Sequence, residues 1–175
     1  MKRSGWRTLL TAVVAAAALV VSGGAASAGT GGGHGHGLRP EKFTIKIVND
    51  ANGKVKAFGP AHGRGTDIES ATSSTQAVFD FGHGNTVNVW HSDVSNAAPK
   101  VNLKSCTGTA YAAGHWKFLG GTGKYKHAFG FGKFKFALFI VFNTRHHKCD
   151  TTSEPKLVLV KVFGWGKATA GKHKH

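Results

Sequence analysis

Four residues combine proton-exchanging or hydrogen-bonding side chains with strand-like surroundings: Asp80, His91, Tyr111 and His115. His91, Tyr111 and His115 share one parity along their stretches, and Asp80 lies in a neighbouring stretch. If that parity turns inward, the four form a polar spot in an apolar cavity, the usual make-up of a small-ligand site. A histidine beside a carboxylate can act as acid or base. The plainer alternative makes each an exposed or hydrogen-bonded wall residue. No G-x-S-x-G, H-E-x-x-H or close Ser-His-Asp pattern occurs in the chain, so no catalytic residue is assigned.

Metal chemistry is the next reading to weigh, because the chain has 11 histidines. His34 with His36, and His173 with His175, alternate near the two ends. Such tracts bind transition metals weakly when neutral, but they read more simply as soluble, pH-tunable tails, and no metal or cofactor is expected. Cys106 and Cys149 are the only cysteines. In an oxidising compartment an isolated pair is expected as one disulfide. A metal site with His146 and His147 is the rival, but the paired spacing of zinc sites is missing.

The elements that must position these residues have a period of two. Phe43, Ile45 and Ile47 alternate with Lys42, Thr44 and Lys46, as in a half-buried strand. Strands are also expected over residues 54–58, 74–81, 86–91, 107–119, 129–143 and 155–169, with loops at 92–100 and 145–154. Ala77, Phe79 and Phe81 share a face, Val87 and Val89 share another, and Phe134, Phe136, Leu138, Ile140 and Phe142 make an unbroken apolar row. The opposite face of that last strand turns apolar at Ala137, Phe139 and Val141. A strand apolar on both sides must be covered on both, so self-association into a homo-oligomer through this strand is expected. Six to eight strands joined by short turns predict a closed barrel or a sandwich.

Residues 1–28 read as a signal peptide: Lys2, Arg3 and Arg7, an uncharged stretch over residues 9–21, and Ala26-Ser27-Ala28. The apolar stretch is too short to span a bilayer, and a secreted, extracellular protein without a membrane span is expected. Residues 29–40 read as a disordered glycine- and histidine-rich tail, residues 41–170 as the folded domain, and residues 171–175 as a basic, histidine-rich tail. Losing Lys2, Arg3 and Arg7 lowers the formal charge from +15 to +12. That excess favours anionic surfaces such as envelope polymers; no nucleic-acid motif is present.

The most specific stretch is Phe118-Leu119-Gly120-Gly121-Thr122-Gly123-Lys124-Tyr125-Lys126-His127-Ala128-Phe129-Gly130. It resembles the G-G-T-G-K/R-F/Y-x-x-A-x-G pattern of dirigent proteins and the related allene oxide cyclase barrels. Weaker similarities at Gly59-Pro60, at Gly63 to Asp67, at Phe79-Asp80-Phe81 and at Cys106 to Thr109 extend the resemblance over residues 41–170, as in the group's secreted actinobacterial members. The resemblance implies an eight-stranded antiparallel, calycin-like β-barrel, often dimeric or trimeric. It makes Gly120, Gly121, Thr122, Gly123, Tyr125, Ala128 and Gly130 a structural motif, and it carries over no catalytic residue. Two functions follow as expectations. One is a barrel that binds, orients or cyclises a small apolar compound in its lumen. The other is a non-catalytic cationic protein that adheres to anionic envelope polymers.

Overall fold

Alternation of inward apolar and outward polar side chains organises most of the strands. The computed structural model describes residues 37–50, 52–94 and 97–170. The expected signal peptide, residues 29–36 and the C-terminal tail lie outside them. Strands β1 (Arg39–Val48), β2 (Gly53–Phe58), β3 (Gly63–Glu69), β4 (Gln76–Asp80) and β5 (Thr86–His91) form an antiparallel meander. Then come the short β6 (Lys100–Asn102), the long β7 (Thr107–Gly121) and β8 (Phe129–Val141), the hairpin of β9 (Asn143–Arg145) and β10 (Lys148–Asp150), and β11 (Leu157–Thr169).

The strands run β5-β4-β3-β2-β1-β11-β8-β7, and β5 pairs with β7 to close the ring. The result is an eight-stranded antiparallel barrel with almost no helix, one of the two architectures that the alternation predicts. Closure removes the lateral edges that long strands otherwise expose. Several expectations shift. β3 and β6 are strands that the alternation leaves unassigned. β1 begins at Arg39, so Arg39 and Pro40, assigned to the tail, pair with Ala168 and Lys167. The loop at 145–154 holds the β9–β10 hairpin, with His146 and His147 at its turn in left-handed conformation, φ 50° and 60°. Cys106 and Cys149 bond each other, with Cα atoms 5.2 Å apart. The bridge ties the start of β7 to the hairpin.

The barrel is packed at its base. Phe43, Phe79, Trp116 and Phe118 are all at most 3% exposed; Phe43 meets Phe79 and Trp116 edge to face, with centroids 5.2 and 5.4 Å apart, and Phe118 lies tilted against Trp116 at 4.6 Å. Trp116 Nε1–H donates to the carbonyls of Lys133 and Trp165 at 3.1 and 3.3 Å, so the central indole leaves no unpaired donor. Gly132 and Gly166 make this possible, since a Cβ at either would lie 2.8 Å from the indole ring.

The glycine motif seals this end. Gly120 and Gly123 have φ 87° and 55°, a region open to glycine at little cost. Between them Thr122 Oγ1 meets Thr86 Oγ1 at 2.9 Å, and Lys124 N–H donates to Asn85 Oδ1 at 3.0 Å. The motif is thereby laced to the β4–β5 turn. A 3-10 turn, Gly123–Tyr125, then drops the Tyr125 ring into the base, where its hydroxyl donates to the His62 carbonyl at 2.7 Å. Tyr125 and Ala128 are 1% and 3% exposed.

Candidate functional site: the open end of the lumen

At the other end the barrel is not filled. A cavity of about 90 Å³ remains, floored by Phe43, Phe79 and Trp116 and walled by Phe134, Phe136, Val160 and Val162. Its polar groups are Asp67, Glu69 and His91. Asp67 and Glu69 share the inward parity of β3, while His91 ends β5 on the inward parity of Val87 and Val89. The cluster thus comes from strands that flank β4. It lies over Phe134 of β8, whose ring meets His91 edge-on at 6.3 Å.

The electrostatics of this cluster are unusual for a barrel interior. Asp67 is 1% exposed, and its Oδ1 has no hydrogen-bond partner among the described residues. Burial, and then the nearby Glu69 charge, push its pKa up to about 7, with His91 pulling the other way. His91 Nε2 lies 3.5 Å from Glu69 Oε2, an ion-pair distance without hydrogen-bond alignment. Its Nδ1 lies 3.1 Å from the Ser92 carbonyl, to which Nδ1–H donates. Burial opposes the imidazolium, yet Glu69, the Ser92 carbonyl and Asp67 outweigh it and raise the His91 pKa. A carboxyl that titrates near neutrality beside a favoured imidazolium can accept or release a proton, or anchor the polar end of a ligand.

The four residues singled out from the sequence do not come together. His91 alone faces the lumen. Tyr111 is 75% exposed on the outer face of β7, and His115 is exposed on the same face. Asp80 points outward from β4 and accepts a hydrogen bond from Gly82 N–H at 2.8 Å, as a turn residue does. The parity error has a readable cause. On β7 the inward set is Ala110, Ala112, Gly114, Trp116 and Phe118, and Lys117 on the other parity marks Tyr111 and His115 as outward. Asp67 and Glu69 were missed because the alternation assigns no strand over residues 63–69, where Gly63 and Gly65 leave one parity without side chains. In the barrel Asp67 on that parity is 1% exposed, while Ile68 beside it is 39% exposed.

A third buried acid, Glu41, lies at the packed base. It is wholly buried, and its Oε2 accepts from Ala61 N–H at 2.8 Å. Burial raises its pKa to about 7 despite that bond and one from Lys42 N–H. Outside the barrel, a shallow depression of about 480 Å³ runs over Ile68, Gln76, Val78, Asn88 and Leu119. It is larger than the lumen cavity but brings together no ionisable group besides Glu69.

Among the described residues no group of three His, Cys, Asp or Glu side chains is placed to hold a metal ion, and no helix is long and apolar enough to cross a membrane. Comparison of the chain with family models, curated proteins and solved structures finds no match.

Proposed function

We propose that this is a secreted barrel protein that binds a small, mainly apolar compound with one hydrogen-bonding end in the upper lumen. The observation that carries the reading is the apolar cavity with Asp67, Glu69 and His91 converging at its mouth. The volume sets the ligand class. Pockets for drug-sized ligands run to about 300–1,000 Å³, so a cavity of about 90 Å³ takes a very small compound, or the end of a longer one that projects through the mouth. The ring floor of Phe43 and Trp116 suits an apolar end. The Asp67 Oδ1, without a partner among the described residues, and the His91 Nε2, which faces only Glu69 Oε2 at 3.5 Å, suit a hydroxyl or carbonyl. The resemblance to dirigent and allene oxide cyclase barrels supports the same ligand class, and the basic start with Ala26-Ser27-Ala28 supports secretion.

Native mass spectrometry of protein purified from an expressing culture tests the reading. Wild type is expected to carry a small compound that is released on acid denaturation. Val162→Phe, which fills the cavity, and Asp67→Asn, which keeps its shape, are both expected to lose it. A folded wild type without adduct that also fails to retain small phenols added at millimolar concentration would overturn the proposal.

A further inference from the structure

The outer wall carries a second pattern, independent of the lumen. All 8 acidic residues of the chain lie at inward-parity positions, in turns and loops, on β4 or at the end of β10. The outward positions of six consecutive strands, β3-β2-β1-β11-β8-β7, hold none. Each of those strands places at least one exposed cation there. Across the strands the cations stand in register: Lys54 opposite Lys46, and Lys46 opposite Lys161. One row along, Arg64 faces Lys56; another row has Lys42 and Lys133 on either side of Trp165. Like charges directly opposite one another destabilise a sheet. A fold that keeps three lysines in one row with no acid among them is arranged for an anionic partner.

The shape and chemistry of the wall narrow the partner. Six of eight strands wrap about three quarters of a cylinder, so a flat bilayer or a stiff duplex touches only a strip of it. A flexible chain can follow it. Aromatic rings alternate with the cations, and two rings carry one: Lys56 Nζ sits 4.7 Å above the Phe58 ring, and Lys117 Nζ of the wall reaches Trp90 of the neighbouring β5 at 5.5 Å. Binding of single-stranded nucleic acid calls for a basic groove, whereas this wall is the convex outside of a barrel. The shallow outer depression over β3, β4 and β5 has no cation in its lining. What the wall presents is exposed cations on neighbouring strands spaced about 4.8 Å apart, with same-face positions about 6.8 Å apart along each strand.

From this we infer that the cation rows on the outward face of β3-β2-β1-β11-β8-β7, which end at the level of Ala137 and Lys161 short of Phe139, are a docking surface for an anionic glycan, a flexible chain of sugars bearing sulfate, phosphate or carboxylate groups. The test uses the full chain and dextran sulfate as probe, with neutral dextran, oligothymidylate and phosphatidylglycerol vesicles alongside. Dextran sulfate is expected to bind in a salt-dependent way and neutral dextran not at all. The double substitution Lys46→Gln with Lys161→Gln should weaken binding by about tenfold, from the loss of two charge contacts. It should leave the melting temperature unchanged or raised, because it relieves a like-charge row. Lys104→Gln, in the β6–β7 connection and off the wall, should bind as wild type does. The inference is overturned if dextran sulfate does not bind, or if oligothymidylate or vesicles bind more tightly than it does. It is equally overturned if Lys104→Gln weakens binding as much as the wall pair, which would reduce the effect to net charge.

Discussion

The two ends of the barrel each bury a carboxyl whose pKa is raised to about 7, and they use it differently. At the base, Glu41 is wholly buried with Oε2 on the Ala61 N–H, and its Oε1, like the Asp67 Oδ1, has no partner among the described residues. At the mouth, Asp67 faces a cavity with an unpaired oxygen, Glu69 and His91 beside it. Equal shifts therefore do not mean equal roles. A perturbed acid marks a candidate site when it lines accessible space with other polar groups converging on it. When it is sealed in by a loop that it caps, it belongs to the structure.

The comparison can be broken most severely at the base. Trp116→Ala removes the ring that Phe43 and Phe118 stack on, and should cost about 3–5 kcal/mol, read as a lower midpoint in urea unfolding. Val160→Ala at the mouth borders space that is already empty and should cost less than about 2 kcal/mol. If the two losses were equal, the packed-base and open-mouth distinction would fail.

Removing the disulfide should be next in size. Replacing Cys106 and Cys149 with Ser together opens a loop whose ends are 43 residues apart, for which the chain-entropy model gives about 4 kcal/mol. Thermal unfolding with and without reductant checks this. The bridge lies beyond the cavity, so retention of small phenols should survive in the folded double variant.

The acids themselves sharpen the comparison. Glu41 and Asp67 both hold protons more tightly in the folded state than in the unfolded one, so their contribution is present at low pH and is lost as pH rises through about 7. His91, also raised, loses its contribution as pH climbs past its folded pKa, in the same direction. The protein should therefore be less stable at pH 8 than at pH 5. Asp67→Asn should flatten that dependence and gain on the order of 2 kcal/mol at pH 8. Glu41→Gln should flatten it too, since the amide oxygen can keep the Ala61 bond, but only Asp67→Asn should alter binding. Chemical denaturation at both pH values separates the cases.

The smallest effect on stability is expected outside the barrel. Phe139 is 37% exposed between Thr109 and Leu159 on the outer face of the long strands. Analytical ultracentrifugation of wild type is expected to give more than the monomer mass, and Phe139→Asp to return it to monomer while Lys135→Asp does not. A monomeric wild type at micromolar concentration would remove the self-association expectation and leave the two ends of the barrel as described.

Strict alternation made most of this fold legible in advance. Phe43, Ile45 and Ile47 on β1, Phe79 on β4 and the row from Phe134 to Ile140 on β8 all point where their pattern places them. The turn after Asp80 and the 3-10 turn after Gly123 were readable from glycine chemistry. The site was less legible, because parity reveals a face only where one side is clearly apolar. β7 carries Ala and Gly inward over residues 110–114, so its two faces differ little until Trp116. β3 inverts the rule outright by burying Asp67 and exposing Ile68. A carboxyl turned into a lumen looks, in sequence, like one turned to water. Only the register with β2 and β4, Asp67 opposite Gly53 and Phe79, distinguishes them.

The central claim is that the upper lumen is a binding site, and an NMR titration tests it most directly. Phenol, with an apolar ring and one hydroxyl, is added to 15N-labelled protein at pH 6.5. Saturable shifts are predicted at Phe134, Phe136, Val160, Val162 and His91, weakened in Asp67→Asn and smaller with benzene. The contrary result is a set of shifts that never saturate, or that appear at Tyr125 and Ala128 of the sealed base with the mouth unmoved.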